Sequence, residues 1–234
     1  VHYWMGKRTP EESVDIAQEA VAKGFHGIKI KCGNDAPEHD TVARIEAIRR
    51  AVGDELELEL DANGGFRKRP DLVQLCDRLR DLGVARLEDP FKRDDPASFA
   101  ELRPRTRMPL AYHALTLDQA LQAVRLDAAQ AMNVGWGSLA LSVRMADLAD
   151  AASIPSWHGS AMELGIRDVA YMHACAATPG CTLSSDLLHH MWHDDLIDPG
   201  VEISDGSARV PDGPGLGIEL DRDALARHRI GGFQ

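Results

Sequence analysis

The sequence predicts an α/β protein, a (β/α)8 barrel of the TIM type, and three observations favour that class. Short apolar runs alternate with longer amphipathic stretches along most of the chain. Eight such strand and helix units follow one another at a spacing of about 25 residues, which is typical of parallel strands joined by crossover helices. The length of 234 residues suits one such barrel. An open, doubly wound sheet is the alternative, but that class rarely contains eight such even units.

Helix caps and apolar spacing define the elements in turn. Thr9 and Pro10 start the first helix, which Gly24 ends. The predicted strands cover residues 1–5, 27–32, 57–60, 84–87, 109–112, 129–134, 154–157 and 182–185. The predicted helices cover residues 9–23, 40–52, 70–82, 96–102, 117–126, 139–152 and 166–177. We expect residues 1–196 to form the barrel and residues 197–234, rich in Gly, Pro and Asp, to wrap its outside within the same domain.

Composition and charge narrow the function classes. Hydrophobic residues make up 44% of the chain and charged residues 27%, which permits a large core. The net charge of −11 repels nucleic acid and anionic membranes, so neither is an expected partner. The first residues lack the features of a signal peptide, and no apolar run approaches the roughly 20 residues of a membrane helix. The four cysteines form no Cys-x-x-Cys pair, which favours reduced thiols in the cytoplasm over a zinc site or redox motif.

The functional residues of a barrel lie at the carboxyl ends of its strands. Strand two ends in Lys29 and Lys31, and strand alternation points both side chains to the barrel mouth. Two neighbouring ammonium groups repel each other, which lowers at least one pKa and makes a lysine a good general base. A solvated pair of lysines at a strand end is the alternative interpretation.

Strands three and four end in carboxylates. Asp61 is followed by Asn63, and Glu88 is followed by Asp89. Carboxylates at adjacent strand ends can share a divalent cation, and hard oxygen ligands suit Mg²⁺ or Mn²⁺. Helix N-capping is the alternative for these residues, and it is the interpretation that suits Asp89.

Histidines mark the end of strand seven and the loop after strand eight. His158 stands where a barrel places an acid or base that works near neutral pH, although a structural role is the alternative. Glu163 follows closely and could either cap the next helix or line the site. The group His189, His190 and His193 has the composition of a metal cluster, but its setting favours a loop.

The order and spacing of these motifs resemble the enolase superfamily and, within it, the mandelate racemase/muconate lactonizing group. The motifs are Lys-x-Lys on strand two, Asp-x-Asn on strand three and Leu-Glu-Asp-Pro on strand four. Residues 210–217, Val-Pro-Asp-Gly-Pro-Gly-Leu-Gly, are similar to the C-terminal signature of the group. The resemblance runs from residue 1 to about residue 225, nearly the whole chain.

This resemblance implies a common first step on a small-molecule carboxylate substrate. Mg²⁺ binds the carboxylate, a base removes the α-proton, and the metal stabilises the enediolate intermediate. The base would be Lys31, and Lys29 would tune it or contact the intermediate. Asp61 and Glu88 would be two of three metal ligands, and His158 the acid or base on the opposite face.

The resemblance also suggests residues that contact the substrate and a larger assembly. Asp186 stands roughly where the racemase branch hydrogen-bonds its substrate, and Asn63 and Glu163 are candidate substrate-binding residues. Members of the group begin with an α+β capping domain that closes over the barrel mouth, so we expect one in the full-length protein. Without it, water would reach the site and the isolated chain would be poorly active. An even-numbered homo-oligomer is the expected assembly.

The sequence departs from the pattern of the group in four places. The third metal ligand should be a carboxylate at the end of strand five, where His113 stands, and an imidazole suits Mn²⁺ or Fe²⁺ better than Mg²⁺. Asn133 replaces the carboxylate partner of the histidine, and an amide can orient an imidazole but cannot stabilise imidazolium. The expected glycine pair after strand six reads Ser138-Leu139. No lysine ends strand six, which disfavours a racemase with two lysine bases.

Three functions therefore compete. The leading hypothesis is dehydration of an acid sugar or related hydroxy acid, in which Lys31 takes the α-proton and His158 protonates the leaving β-hydroxyl. A racemase or epimerase is second, because it needs two competent bases and Asn133 weakens the second one. The third is a degenerate barrel that binds a ligand without turnover, a hypothesis supported by the missing third carboxylate.

Overall fold

Seven parallel strands form a single sheet in which each strand neighbours the next one along the chain. A computed structural model of the chain describes residues 1–160, 163–188, 191 and 194–229. The strands are β1 (Tyr3–Met5), β2 (Gly27–Lys31), β3 (Glu57–Asp61), β4 (Val84–Glu88), β5 (Leu110–His113), β6 (Ala131–Asn133) and β7 (Ser156–Trp157). All seven lie where the sequence predicts them, so the parallel α/β class is confirmed.

Each strand is followed by a helix that crosses over the sheet. The helices are α1 (Pro10–Ala22), α2 (Thr41–Val52), α3 (Leu72–Asp81), α4 (Pro96–Leu102), α5 (Leu117–Arg125), α6 (Leu139–Ala151) and α7 (Ile166–Ala177). Short 3-10 helices cover Pro37–His39 and Arg103–Arg105. The start of α1 is a capping box, in which the Glu12 amide donates to the Thr9 hydroxyl and the Thr9 amide donates to the Glu12 carboxylate.

The predicted eighth strand at residues 182–185 does not form. The chain there makes isolated parallel bridges instead, from Cys181 to Ser156 and from Asp186 to His2. The Ser156 carbonyl accepts from the Leu183 amide at 3.1 Å, and the His2 amide donates to the Ser185 carbonyl at 2.8 Å. The segment meets one edge of the sheet at its start and the other edge at its end, so no continuous ladder develops. Both edges are bonded to the same few residues, which shows that the sheet is curled.

Alternation along the strands separates an apolar face from a charged face. On β2, Ile28 and Ile30 are fully buried in the hydrophobic core, which includes the helix residues Ile45 and Ile48. Between them stands Lys29, which is also buried but points to the opposite face of the sheet, where its Nζ pairs with Glu88 and Asp186. Strand β3 repeats the pattern, with leucines in the core and carboxylates at the intervening positions. The curled sheet therefore turns its charged face inwards.

The last part of the chain packs against α7. Strands β8 (Ile197–Asp198) and β11 (Glu219–Leu220) pair antiparallel, as do β9 (Ile203–Ser204) and β10 (Ser207–Ala208), and α8 covers Arg222–Arg227. Their apolar side chains join Val169 and Met172 of α7 in a second, smaller cluster. Within the described ranges, no helix is both long enough and apolar enough to cross a membrane.

A buried arginine connects the first two strands and helices. Arg44 of α2 is fully buried and donates to the Ser13 hydroxyl at 3.1 Å, the Lys31 carbonyl at 2.9 Å and the Gly6 carbonyl at 2.8 Å. These bonds fix the carboxyl end of β2, where the lysine pair lies.

We predict that Arg44→Met lowers the free energy of unfolding by about 2–4 kcal/mol, because it leaves three buried acceptors without a donor. The measurement is chemical denaturation, with Arg50→Met at an exposed position of the same helix as the control. Equal stability of the two variants would contradict the role given to Arg44.

Candidate functional site

Charged and polar side chains meet on the inner face of the sheet, at the carboxyl ends of its strands. We call this group the strand-end cluster. The strand register aligns Lys31 with Asp61 and Asp61 with Glu88, so these three lie at one level. One step further round, His113 is aligned with Asn133. The members of the cluster are Lys29, Lys31, Asp61, Glu88, Asp89, His113, Asn133 and Asp186.

Lys29 lies at the centre of this cluster. Its Nζ is 2.5 Å from Glu88 Oε2, 3.3 Å from Asp186 Oδ1 and 5.3 Å from the centre of the Trp157 ring. Burial disfavours the ammonium, but the nearby carboxylates, Asp186 and Glu88 foremost, outweigh it and raise the pKa of Lys29 well above its usual value. The lowering of at least one lysine pKa that the sequence predicts therefore does not occur at Lys29.

Lys31 is the more accessible lysine. Its side chain is 28% exposed, against 2% for Lys29, and its Nζ is 2.5 Å from Asp61 Oδ2. Asp61 also accepts from the Asn63 amide at 2.9 Å and from Asn63 Nδ2 at 3.1 Å. Asn63 thus holds the Asp61 carboxylate in place.

Glu88 is fully buried and contacts several members of the cluster. Its Oε1 accepts from Asn133 Nδ2 at 2.9 Å and lies 3.5 Å from His113 Nδ1. Burial, together with the charge of Asp61, raises the pKa of Glu88, and the Lys29 ammonium opposes that shift. Asn133 therefore binds the carboxylate of Glu88, and it does not orient an imidazole as the sequence led us to expect.

Three side chains could hold a metal ion. Ligand atoms of Glu88, Asp89 and His113 lie within 4.8 Å of one another. His113 Nε2 is buried without a hydrogen-bond partner among the described residues, and burial, aided by the charge of Arg93, lowers the pKa of His113 well below its usual value. A neutral imidazole and two carboxylates fit a divalent cation such as Mn²⁺ or Fe²⁺. Asp61 does not belong to this close group.

Asp89 does not cap a helix, contrary to the sequence-based interpretation. Its Oδ1 accepts from the His113 amide at 3.0 Å, and its Oδ2 accepts from Arg93 Nε at 2.5 Å. The cap of α4 is Asp95 instead. Asp89 has a positive φ of 47°, and this turn carries its side chain across to β5. The sequence analysis did not identify Arg93 as a partner of Asp89. Arg93 stands four residues after Asp89, and no sequence motif marks it.

His158 lies on the other side of the strand. Its ring stacks on Tyr171 of α7, with 3.5 Å between ring centres, and it lines a cavity of about 300 Å³ beside that helix. Trp157, the preceding residue, points inwards to Lys29, so alternation turns His158 towards the helices. The structure therefore does not bring His158 together with Lys31.

The surroundings of His158 keep its ring neutral. Burial, with the charges of Arg167 and Lys29, lowers the pKa of His158 to about 3. Neither ring nitrogen has a hydrogen-bond partner within the described part of the chain. Asn133 Oδ1 instead accepts from the Gly135 and Gly159 amides, at 2.9 and 3.0 Å.

The other residues that the sequence suggests for the site lie in different parts of the structure. Asp186 is 3% exposed and joins the cluster through Lys29. Glu163 accepts from the Ser160 hydroxyl at 2.5 Å and pairs with Arg167 at 3.3 Å, which ties it to the start of α7. The group His189, His190 and His193 lies outside the described residues.

A second charged group lies nearer the amino ends of the strands. His2 Nε2 is 3.5 Å from Glu57 Oε1, and His2 Nδ1 is 3.5 Å from Glu59 Oε2. These three could also hold a metal ion by their spacing, but the Arg86 guanidinium already pairs with both carboxylates. The group is charge-balanced by its own arginine and links β1, β3 and β4.

A parallel α/β fold that carries lysines and carboxylates at neighbouring strand ends is typical of enzyme domains. Comparison with known proteins identifies the family. The chain matches the model of the "Enolase C-terminal domain-like" family over residues 12–224 and belongs to that family. The resemblance to the mandelate racemase/muconate lactonizing group, predicted from the motifs, is confirmed.

Several characterised proteins are similar to this chain. An o-succinylbenzoate synthase of Geobacillus kaustophilus is 31% identical over 232 residues, 94% of this chain and 58% of the relative. A chloromuconate cycloisomerase of Delftia acidovorans is 30% identical over 225 residues, 92% of this chain and 59% of the relative. The crystal structure of an N-succinyl Arg/Lys racemase from Bacillus cereus matches with a TM-score of 0.86 at 26% identity, covering 97% of this chain and 62% of that one. This chain thus spans about 60% of the length of such relatives.

We predict that His158 makes the folded protein sensitive to acid. A folded-state pKa of about 3 means that only the unfolded state binds a proton at this ring below its ordinary pKa of about 6.5, so stability falls as the pH drops below that value. The loss expected from this ring between pH 7 and pH 5 is about 2 kcal/mol, and His158→Gln should remove that contribution.

The measurement is the free energy of unfolding by urea at both pH values. His26→Gln, at an exposed position, is the control and should keep the pH dependence of the unaltered protein. An unchanged pH dependence in His158→Gln would show that this ring has the same pKa in the folded and unfolded states, which contradicts the prediction.

Proposed function

We propose that this chain is the catalytic domain of an enzyme that removes the proton α to the carboxylate of a small-molecule substrate, through an enediolate intermediate. The observation that supports the proposal is the position of Lys31, a partly exposed amine among fixed charges at the carboxyl end of β2. Membership of the enolase family supports it, as do the enzyme names of the relatives, which include a synthase, a cycloisomerase and a racemase.

The two lysines would have different roles, one as the base and one as a fixed positive charge. Lys31 Nζ would take the α-proton, because it is the lysine that a substrate can reach. Lys29, fixed by Glu88 and Asp186, would keep a positive charge near the negative charge that develops on the substrate. A charge that is already in place needs no reorganisation during the reaction, which is the main source of its catalytic effect.

A divalent cation would be held by Glu88 and His113 together with one further carboxylate. The close spacing in the structure favours Asp89 as that carboxylate, and the family resemblance favours Asp61. When bound, such a cation supplies a Lewis acid that polarises the substrate carboxylate and stabilises the charge left by proton removal. The imidazole of His113 makes Mn²⁺ or Fe²⁺ a better fit than Mg²⁺.

Dehydration of an acid sugar or related hydroxy acid remains the reaction we favour. A racemase needs bases on opposite faces of the substrate, and the strand-end cluster offers one partly exposed lysine, Lys31, while His158 is turned to the helix side. Dehydration can proceed on one face: Lys31 takes the α-proton, and its ammonium then protonates the β-hydroxyl as it leaves. A racemase or epimerase is the second candidate, because similar proteins include an L-Ala-D/L-Glu epimerase and an N-succinyl Arg/Lys racemase.

Binding without turnover is the third candidate, and one observation favours it. Each carboxylate of the cluster already has a cation of the same chain beside it, Lys29 at Glu88, Lys31 at Asp61 and Arg93 at Asp89. Carboxylates that are paired in this way can persist without any metal ion. The two experiments below separate this hypothesis from catalysis.

We predict that Lys31→Ala slows α-proton exchange by a factor of about 10²–10⁴, because it removes the base. The measurement is deuterium incorporation from D₂O into a panel of acid sugars and hydroxy acids, using the full-length protein. Lys92→Ala, which removes an exposed lysine outside the cluster, should leave the rate unchanged. A 2-keto product indicates dehydration, whereas inverted, deuterated substrate indicates a racemase. Equal rates in both variants would contradict the role of Lys31.

We predict that Mn²⁺ raises the melting temperature of the full-length protein in a saturable manner, and that His113→Ala removes the effect. His113→Asp should shift the preference towards Mg²⁺, since it replaces nitrogen by a hard oxygen ligand. The rise in melting temperature with Mn²⁺ is then compared between Asp61→Asn and Asp89→Asn. The variant that loses this rise identifies the second carboxylate ligand. No stabilisation by Mg²⁺, Mn²⁺ or Fe²⁺ would favour binding without a metal over the proposed chemistry.

A further inference from the structure

Two cysteines that the sequence separates by five residues come together outside the strand-end cluster. Cys175 lies near the end of α7, and Cys181 lies at the bridge to β7. The chain between them folds back on itself, because the Thr178 amide donates to the Cys175 carbonyl at 3.1 Å and its carbonyl accepts from the Cys181 amide at 3.0 Å. As a result, both cysteine side chains line the same two cavities beside α7.

Both thiols are accessible. They line the same cavity of about 300 Å³, together with His158 and Tyr171, and both residues are partly exposed. The other two cysteines, Cys32 and Cys76, are buried among core residues. A small oxidant can therefore reach Cys175 and Cys181 from solvent, whereas Cys32 and Cys76 are shielded from it.

The surroundings distinguish the roles of the two sulfur atoms. The neighbouring Cys175 thiol lowers the pKa of Cys181 to about 7, and the Ser156 hydroxyl, 3.5 Å from Cys181 Sγ, contributes in the same direction. The Cys181 thiol in turn raises the pKa of Cys175. Burial raises the pKa of Cys76 to about 12. Because the thiolate is the nucleophile, Cys181 is the sulfur that reacts first.

We propose that Cys175 and Cys181 form an oxidation site that closes to an intramolecular disulfide in the presence of a peroxide. The Cys181 thiolate attacks one peroxide oxygen, so that an S–O bond forms, the O–O bond breaks and water leaves after proton transfer. The Cys175 thiol then attacks the Cys181 sulfur, the S–S bond forms and a second water leaves. In total two thiols lose two electrons and two protons, and the peroxide is reduced to two waters.

The disulfide would join the end of α7 to the segment that bonds both edges of the sheet. That segment also contains Ser185, whose hydroxyl accepts from the His158 amide at 3.3 Å, and Asp186, the partner of Lys29. Oxidation would thus fix the connection between α7 and the strand-end cluster without touching the cluster itself.

Peptide mapping tests the proposal on the full-length protein treated with hydrogen peroxide. No lysine or arginine lies between Arg167 and Arg209, so trypsin leaves both cysteines in one peptide, residues 168–209. We expect this peptide to lose about 2 Da and to resist alkylation, because both thiols are consumed in the bond. The peptides with Cys32 and Cys76 should stay reduced and serve as internal controls.

Single variants test the order of the two steps, after circular dichroism has shown that each is folded. In Cys175→Ser, the Cys181 sulfenic acid has no resolving thiol, so a dimedone adduct should accumulate that the unaltered protein does not form. In Cys181→Ser, oxidation at Cys175 should be slower by about tenfold or more. A peptide of unchanged mass, equal oxidation of Cys32, or a disulfide between two chains would each overturn the proposal.

Discussion

The ion pair of Lys29 with Glu88 is the interaction on which the site depends. The two groups are almost completely buried and 2.5 Å apart, and Asp186 adds a second carboxylate at 3.3 Å. This one ammonium joins β2, β4 and the segment that bonds both edges of the sheet. An isolated charge in such a place would cost several kcal/mol of stability, so each member of the group requires the others.

The need to pair buried charges extends along the whole inner face. Lys31 pairs with Asp61, and Arg93 pairs with Asp89, while Asn133 and Asn63 fill the remaining acceptors of Glu88 and Asp61. A catalytic site for proton removal needs fixed charges that do not move during the reaction. The same arrangement that keeps the inner face folded also meets that need. The paired charges of the inner face therefore stabilise the fold and also suit the proposed function.

The helix side of the sheet has a different character. His158 is stacked on Tyr171, and the two accessible cysteines share its cavity. Chemistry on this side is separated from the strand-end cluster by the strand itself, because neighbouring residues of β7 and its extension point to opposite faces. The segment after Gly180 is the covalent connection between the two sides, since it carries Cys181 at its start and Asp186 further along.

Strand alternation and helix caps are local properties, so the sequence alone predicted the parallel α/β class, seven strands that form among the eight expected, and the inward direction of both lysines. It also determined the family, through motifs whose order is fixed by the chain. The tertiary structure decided which partners meet: Asn133 binds Glu88, Asp89 holds His113, and His158 faces the helices. It also decided that 182–185 bonds two sheet edges without becoming a strand. Such contacts depend on turns such as the positive φ at Asp89 and on residues distant in the chain, and no local pattern encodes them.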